Sequence, residues 1–223
     1  MFDARDTNDS ITQFAGRAEF PCVAAKSLSN RNHITERVYS DLLDMENDYE
    51  ILNDVERFNT MPRDSFSFRS FAAIFQAPLN LSEVEFETAM WNRLQSLHDL
   101  DAETHEWDRK VSCDPSSPNF SFSLRGTAFY IIGLHPNASR LSRRYHRPAL
   151  IFNLHDQFEI LRRQGRYPRM RDVIRKRDAA MCGLPNPSLQ NFGEASEARQ
   201  YSGRAVREDW RCPFQARPRR RHP

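Results

Sequence analysis

NFSFSLRGTAFYIIGLHPNASRLSRRYHRPALIFNLHDQF, residues 119–158, holds the densest strand signals in the chain. It opens on alternation, with Phe120, Phe122 and Leu124 set against Ser121 and Ser123, the period of a half-buried strand. Arg125–Gly126 breaks the run. Thr127 to Leu134 then forms a second strand pattern, rich in β-branched and aromatic residues. Two such runs parted by a short glycine-containing break predict a hairpin. A third apolar run covers Ala149 to Leu154. Between the last two runs lies a loop carrying His135 and three arginines, Arg140, Arg143 and Arg144. A sheet edge that delivers an imidazole and a guanidinium cluster into one loop is a candidate for chemistry.

Working outward, Arg69 to Gln76 is a further strand, closed by Pro78. The expected fold is therefore α+β: a single domain with an antiparallel sheet of about four or more strands and helices packed on one face. Short links between the later strands argue against a doubly wound βαβ topology. Ser82 with Glu85 forms a capping box ahead of the stripe Phe86, Met90, Leu94 and Leu97, which predicts a helix. Tyr39, Leu42, Met45 or Glu46, Tyr49, Leu52 and Val55 recur at helical steps and predict a helix over 36–57, ended by Met61–Pro62. Asp156 to Gln164 reads as a short helix with Gly165 after it, and Pro168 starts another. Residues 1–19 are expected as a flexible start holding a short helical piece, Ile11 to Gly16. Residues 20–214 form the domain, and 215–223 a disordered basic tail.

Composition narrows the class. Sixteen Phe compensate for few aliphatics in a chain of 223 residues and 39% hydrophobic content, enough for one core. No apolar run approaches the roughly 20 residues of a membrane span. The polar start and four dispersed cysteines, without a CxxC, point to reduced thiols and a cytoplasmic protein. Net charge is +2, yet residues 1–120 carry 11 basic and 22 acidic side chains, and residues 121–223 carry 21 and 8. Opposite halves attract, within one fold or between copies in a homo-oligomer. Only three of 32 basic residues are lysine. An arginine-rich half also suggests an alternative, a nucleic-acid-binding module without catalysis, although no known binding motif is present. A metal hydrolase using His98, His105, His135 or His155 lacks any HExxH spacing.

The order of short motifs carries a resemblance. GLHP at 133–136, SR at 139–140, RR at 143–144, P-ALIFN at 148–153, H-x-QFE-x-LR at 155–162 and IR-x-RD at 174–178 come in sequence. They are followed by NP at 186–187, FG at 192–193, SEA at 196–198, QYSGR at 200–204 and a closing W-x-CPF at 210–214, with FPCVAAK at 20–26 and LHDLD at 97–101 upstream. This series resembles the YqcI/YcgG family. Characterised members of that family are haem-dependent N-hydroxylases of guanidine-bearing substrates such as arginine. The resemblance thus implies a monooxygenase holding haem b, using dioxygen or a peroxide, with an external electron donor because no flavin or nicotinamide fingerprint is visible.

It also implies site residues. His135, leaving an apolar strand with its backbone restricted by Pro136, is the expected axial ligand of the haem iron, with Cys22 and His155 as the other candidates. Cys22 also reads as a buried structural thiol. Arg140, Arg143 and Arg144 are expected near the haem propionates, since arginine matches carboxylates bidentately. His98 and Asp101 are raised as catalytic candidates by the LHDLD motif. A guanidinium leaving water requires a paired carboxylate. Glu194 and Glu197, beside Asp101, are the candidate acids, with Tyr201, Ser202 and Arg204 for the amino-acid end of the substrate.

Overall fold

A computed structural model describes residues 10–62, 68–183 and 195–217. One five-stranded sheet organises them. In chain order the strands are β1 (Ile34–Asp41), β2 (Ser70–Ala77), β3 (Phe122–Leu124), β4 (Thr127–Leu134) and β5 (Ala149–Leu154), arranged β1-β2-β5-β4-β3. All neighbours run antiparallel except β1 and β2. The α+β class and the central hairpin are as the sequence predicts. Arg125 and Gly126 both take positive φ, 53° and 66°, as a two-residue hairpin turn requires.

The helices are α1 (Ile11–Gly16), α2 (Val23–Asn30), α3 (Asp48–Thr60), α4 (Glu83–Asp101), α5 (His155–Arg163) and α6 (Tyr167–Cys182). Strand alternation gives the sheet two apolar faces. Phe71, Ala73, Phe75, Phe129, Ile131 and Phe152 meet Ile51, Val55 and Phe58 of α3 and Phe86, Met90 and Leu94 of α4. This is the expected helical layer. The other face also carries helices: Ala72, Ile74, Leu134 and Ile151 meet Ile11 and Phe14 of α1, with Ala25 of α2 packed alongside. With Ile11, Phe14 and Ala15 buried, α1 belongs to the folded unit although it precedes residue 20.

The helix expected over 36–57 is corrected. Residues 34–41 form β1 and only the second part of that span is helical, as α3. The spacing of Tyr39 and Leu42 fits a helical step, but Ile34, Thr35, Val38 and Tyr39 favour a strand, and pairing with β2 decides the outcome. The resulting β1–α3–β2 unit supplies the parallel pair. By contrast α4 starts where expected, with both arms of the Ser82–Glu85 capping box formed.

Gly133 permits a close approach of helix to sheet. A Cβ there would lie 2.7 Å from a ring carbon of Phe86 and 3.0 Å from the Tyr201 carbonyl oxygen. The bare backbone lets α4 sit against β4, while the Gly133 N–H donates to that carbonyl at 2.7 Å. The segment after the 3-10 turn Glu197–Gln200 is thereby tied to the sheet.

Candidate functional site

A cavity of about 240 Å³ lies on the second face, between the sheet and helices α1, α2, α5 and α6. Its wall is mainly apolar, with Phe14, Phe20, Leu28, Ile132 and Ile151 among its residues. Polar groups enter from separate elements: Cys22 from the start of α2, Tyr130 from β4, Arg143 from the loop after it, His155 from α5, and Glu197 from the 3-10 turn. An apolar concavity with a few convergent polar groups is the usual form of a small-molecule site.

Glu197 is the best-defined of these groups. Tyr201 donates its hydroxyl to Glu197 Oε1 at 2.6 Å, and Ser121 donates to the same oxygen at 2.8 Å. Oε2 accepts no hydrogen bond from the described residues. Burial pushes the carboxyl up to about 7, against the lowering effect of the Tyr201 and Ser121 hydrogen bonds. The site therefore holds an acid that titrates near neutrality and keeps one acceptor oxygen unused.

Cys22 caps α2, its sulfur accepting the Ala25 N–H at 3.5 Å, and burial raises its thiol. His155 sits 3.3 Å from Glu159 through Nε2, and burial lowers its imidazole, which favours the neutral ring. Tyr130 donates to the Gln200 side chain at 2.9 Å, and burial raises its phenol. Several polar groups on this wall were missed in the sequence. Asn153 interrupts the β5 run, accepts the Ser70 hydroxyl at 2.6 Å and donates to the Tyr130 carbonyl at 3.1 Å. Gln157 clasps the Arg69 backbone through two hydrogen bonds, at 2.5 and 2.9 Å. An amide inside an otherwise apolar strand was the available signal for Asn153.

The other expected site residues lie elsewhere. His135 is 1% exposed and stacks on Phe86, ring centroids 4.3 Å apart, away from the cavity wall. Among the described residues its Nδ1 has no hydrogen-bond partner, and burial pushes the imidazole down to about 4. The strand end thus turns His135 into the α4 layer. Arg140 pairs with Asp178, and Arg144 donates to the Ala138 carbonyl at 2.9 Å; neither reaches the cavity, whereas Arg143 does. Arg204 pairs with Glu87, which also accepts the Ser202 hydroxyl at 3.0 Å, so both are spent on α4. Tyr201 is buried behind Glu197 and stacks on Trp91. Glu194 lies outside the described residues.

His98 and Asp101 occupy the far end of α4, also away from the cavity. His98 Nε2 accepts the Arg217 N–H at 2.8 Å, and its ring meets Trp107 and Phe214 edge-on. Asp101 accepts the Arg125 N–H at 2.9 Å and anchors the hairpin turn, its carboxyl raised by burial.

An iron porphyrin fits the cavity's chemistry in part. Cys22 and His155 provide a thiol and an imidazole at its wall, and Arg143, Arg171 and Arg175 bring guanidinium groups suited to carboxylates. His135 does not fit as the iron ligand. Among the described residues no group of three His, Cys, Asp or Glu could cage a bare metal ion, but a porphyrin supplies the equatorial ligands itself. The void is smaller than the roughly 300–1,000 Å³ common for ligand sites. Helix α6, on the same wall, buries a single residue, Asp178.

A chain of this architecture, with a mainly apolar pocket under one sheet face, matches the YqcI/YcgG family over residues 9–215. The chain belongs to that family. It is 24% identical over 209 residues to "Uncharacterized protein YqcI" of Bacillus subtilis (strain 168), covering 88% of this chain and 80% of that protein. No solved structure matches. Among the described residues no helix is long and apolar enough to cross a membrane.

Proposed function

We propose that this chain is a haem-dependent monooxygenase that N-hydroxylates a guanidine group, of arginine or an arginine-derived substrate, in the cavity beneath the second sheet face. The observation that carries this reading is the unused Oε2 of Glu197, a buried carboxylate oxygen at the wall of an otherwise apolar cavity. A guanidinium cation leaving water needs such a partner. Tyr201 and Ser121 fix the carboxyl from behind, so it is oriented before ligand arrives. Cys22 or His155 would hold the iron. The bound haem would supply activation of the oxidant. The chain's own work is to exclude water with Phe14, Phe20 and Ile151, to orient the guanidinium at Glu197, and to take up or release the proton at Glu197.

The nucleic-acid alternative draws less support from the loop and C-terminal arginines, three of which are already paired within the fold. Arg140, Arg144 and Arg204 meet Asp178, a backbone carbonyl and Glu87.

Reconstitution with haem is expected to give a Soret band, and arginine with a reductant and dioxygen a product heavier by one oxygen atom. Glu197→Gln should keep the Soret band and lose most of the arginine binding. His135→Phe, which preserves the stack on Phe86, should leave haem loading unchanged. Cys22→Ala and His155→Ala identify the ligand by which one abolishes it. A protein that stays colourless with excess haem overturns the proposal.

A further inference from the structure

Arg143 lines the same cavity from the loop after β4. Its guanidinium donates through Nη1 to the carbonyls of Gly133 and Tyr201, at 3.1 and 3.3 Å, and through Nη2 to that of Gln200 at 3.2 Å. A guanidinium has five N–H donors. The Nε donor and one on Nη2 remain without a partner among the described residues. Nε–H and the neighbouring Nη2–H form one edge of the planar group, the pair that matches the two oxygens of a carboxylate. Among the described residues Arg143 pairs with no carboxylate. Asp178, the nearby acid, is taken by Arg140 and by the Ser142 hydroxyl at 2.9 Å.

The backbone makes room for this arrangement. Gly203 has φ +84°, and a Cβ there would stand 3.1 Å from Arg143 Cγ and 3.5 Å from Nε. The bare glycine lets the arginine stem lie against the chain. Carbonyl oxygens carry only partial charge, so a desolvated guanidinium held by three of them is a cation awaiting an anion. Arg143 grips the carbonyls of Gln200 and Tyr201, at the end of the same turn that presents Glu197. One short segment therefore presents an acid and positions a guanidinium at one cavity.

We propose that Arg143 is the anchor for a ligand carboxylate, so that the cavity selects a dipolar molecule: its cationic group meets Glu197 and its carboxylate meets Arg143. This rests on the cavity's being the ligand site of the function proposed above, and it restricts the substrate to a free amino acid. Decarboxylated or esterified analogues are excluded. Carboxylate chemistry is shared by two sources, an amino-acid substrate and the propionates of a haem.

Calorimetry on the full chain separates them. The probes are arginine, agmatine, which lacks the carboxylate, haem, and haem dimethyl ester. If the anchor serves substrate, arginine binds the wild type at least about tenfold more tightly than agmatine, and Arg143→Gln abolishes the difference. If it serves the prosthetic group, haem outcompetes its dimethyl ester by a similar factor in the wild type alone. Arg143→Lys, which keeps the charge and loses the fork, guards against misfolding and should retain only part of the preference. Equal binding of acid and carboxylate-free partner in both pairs overturns the anchor while leaving the hydroxylase reading intact. Carboxylate-selective binding of arginine by a protein that never acquires a Soret band does the reverse. Failure to bind any of the four overturns both.

Discussion

At the scale of single residues, Glu197 is where sequence, structure and chemistry meet. It was one of three acids proposed from charge logic, and only the fold distinguishes it. Asp101 is consumed at the hairpin turn, whereas Glu197 faces the cavity. Its carboxyl rises from 4.5 to about 7 because burial disfavours the charged form. A group whose folded value lies above its unfolded one stabilises fully below the lower value and loses that contribution as pH climbs through the higher. Between pH 4.5 and about 7 the ligand-free protein should therefore lose on the order of 3 kcal/mol from this group, at about 1.4 kcal/mol per pH unit separating the two values. Urea unfolding at pH 5 and pH 8 measures it. Glu197→Gln, whose amide oxygen still accepts from Tyr201 and Ser121, should flatten the difference. Were the mutant to keep the full pH dependence, another group would be its source. His135 works in the opposite sense: pushed down to about 4 by burial, it weakens the fold as pH falls below 6.5.

At the scale of elements, legibility followed how local the deciding interactions are. The β3–β4 hairpin and α4 could be read because their signals lie within a few residues: alternation, a turn that tolerates positive φ, and a capping box. The strand β1 could not, because its partner β2 lies some 36 positions on and is joined by pairing rather than pattern. The placement of His135 off the cavity wall has a related cause. Its position after a strand is visible in the sequence, but the face it turns to depends on register, and one residue separates it from Leu134 on the cavity wall. The contact at Gly133 was equally hidden. Gly133→Ala should force Phe86 or the Tyr201 carbonyl to move and cost roughly 1–3 kcal/mol, as overpacking does. Denaturant midpoints with unchanged slope would record it. A midpoint equal to wild type would mean α4 slides at little cost.

At the scale of the whole molecule, the charge imbalance between the two halves is resolved inside one chain. Arg125 meets Asp101, Arg204 meets Glu87 and Arg217 meets Asp99, each joining the basic half to the acidic one. The last two stitch the C-terminal region onto α4, where Phe214 is buried among Trp91, Trp107 and Phe120. The cavity forms on the opposite side of the sheet. Tyr201 spans the two. Its ring stacks on Trp91 at 5.6 Å, while its hydroxyl reaches Glu197. The pairing gives the molecule an optical gauge. Occupancy that draws a proton from Glu197, or shifts its carboxylate, alters the polarity felt by the phenol and, through the stacked rings, by the indole. Tryptophan emission should therefore change when arginine binds, and Trp91→Phe should silence most of that change while the calorimetric Kd stays the same.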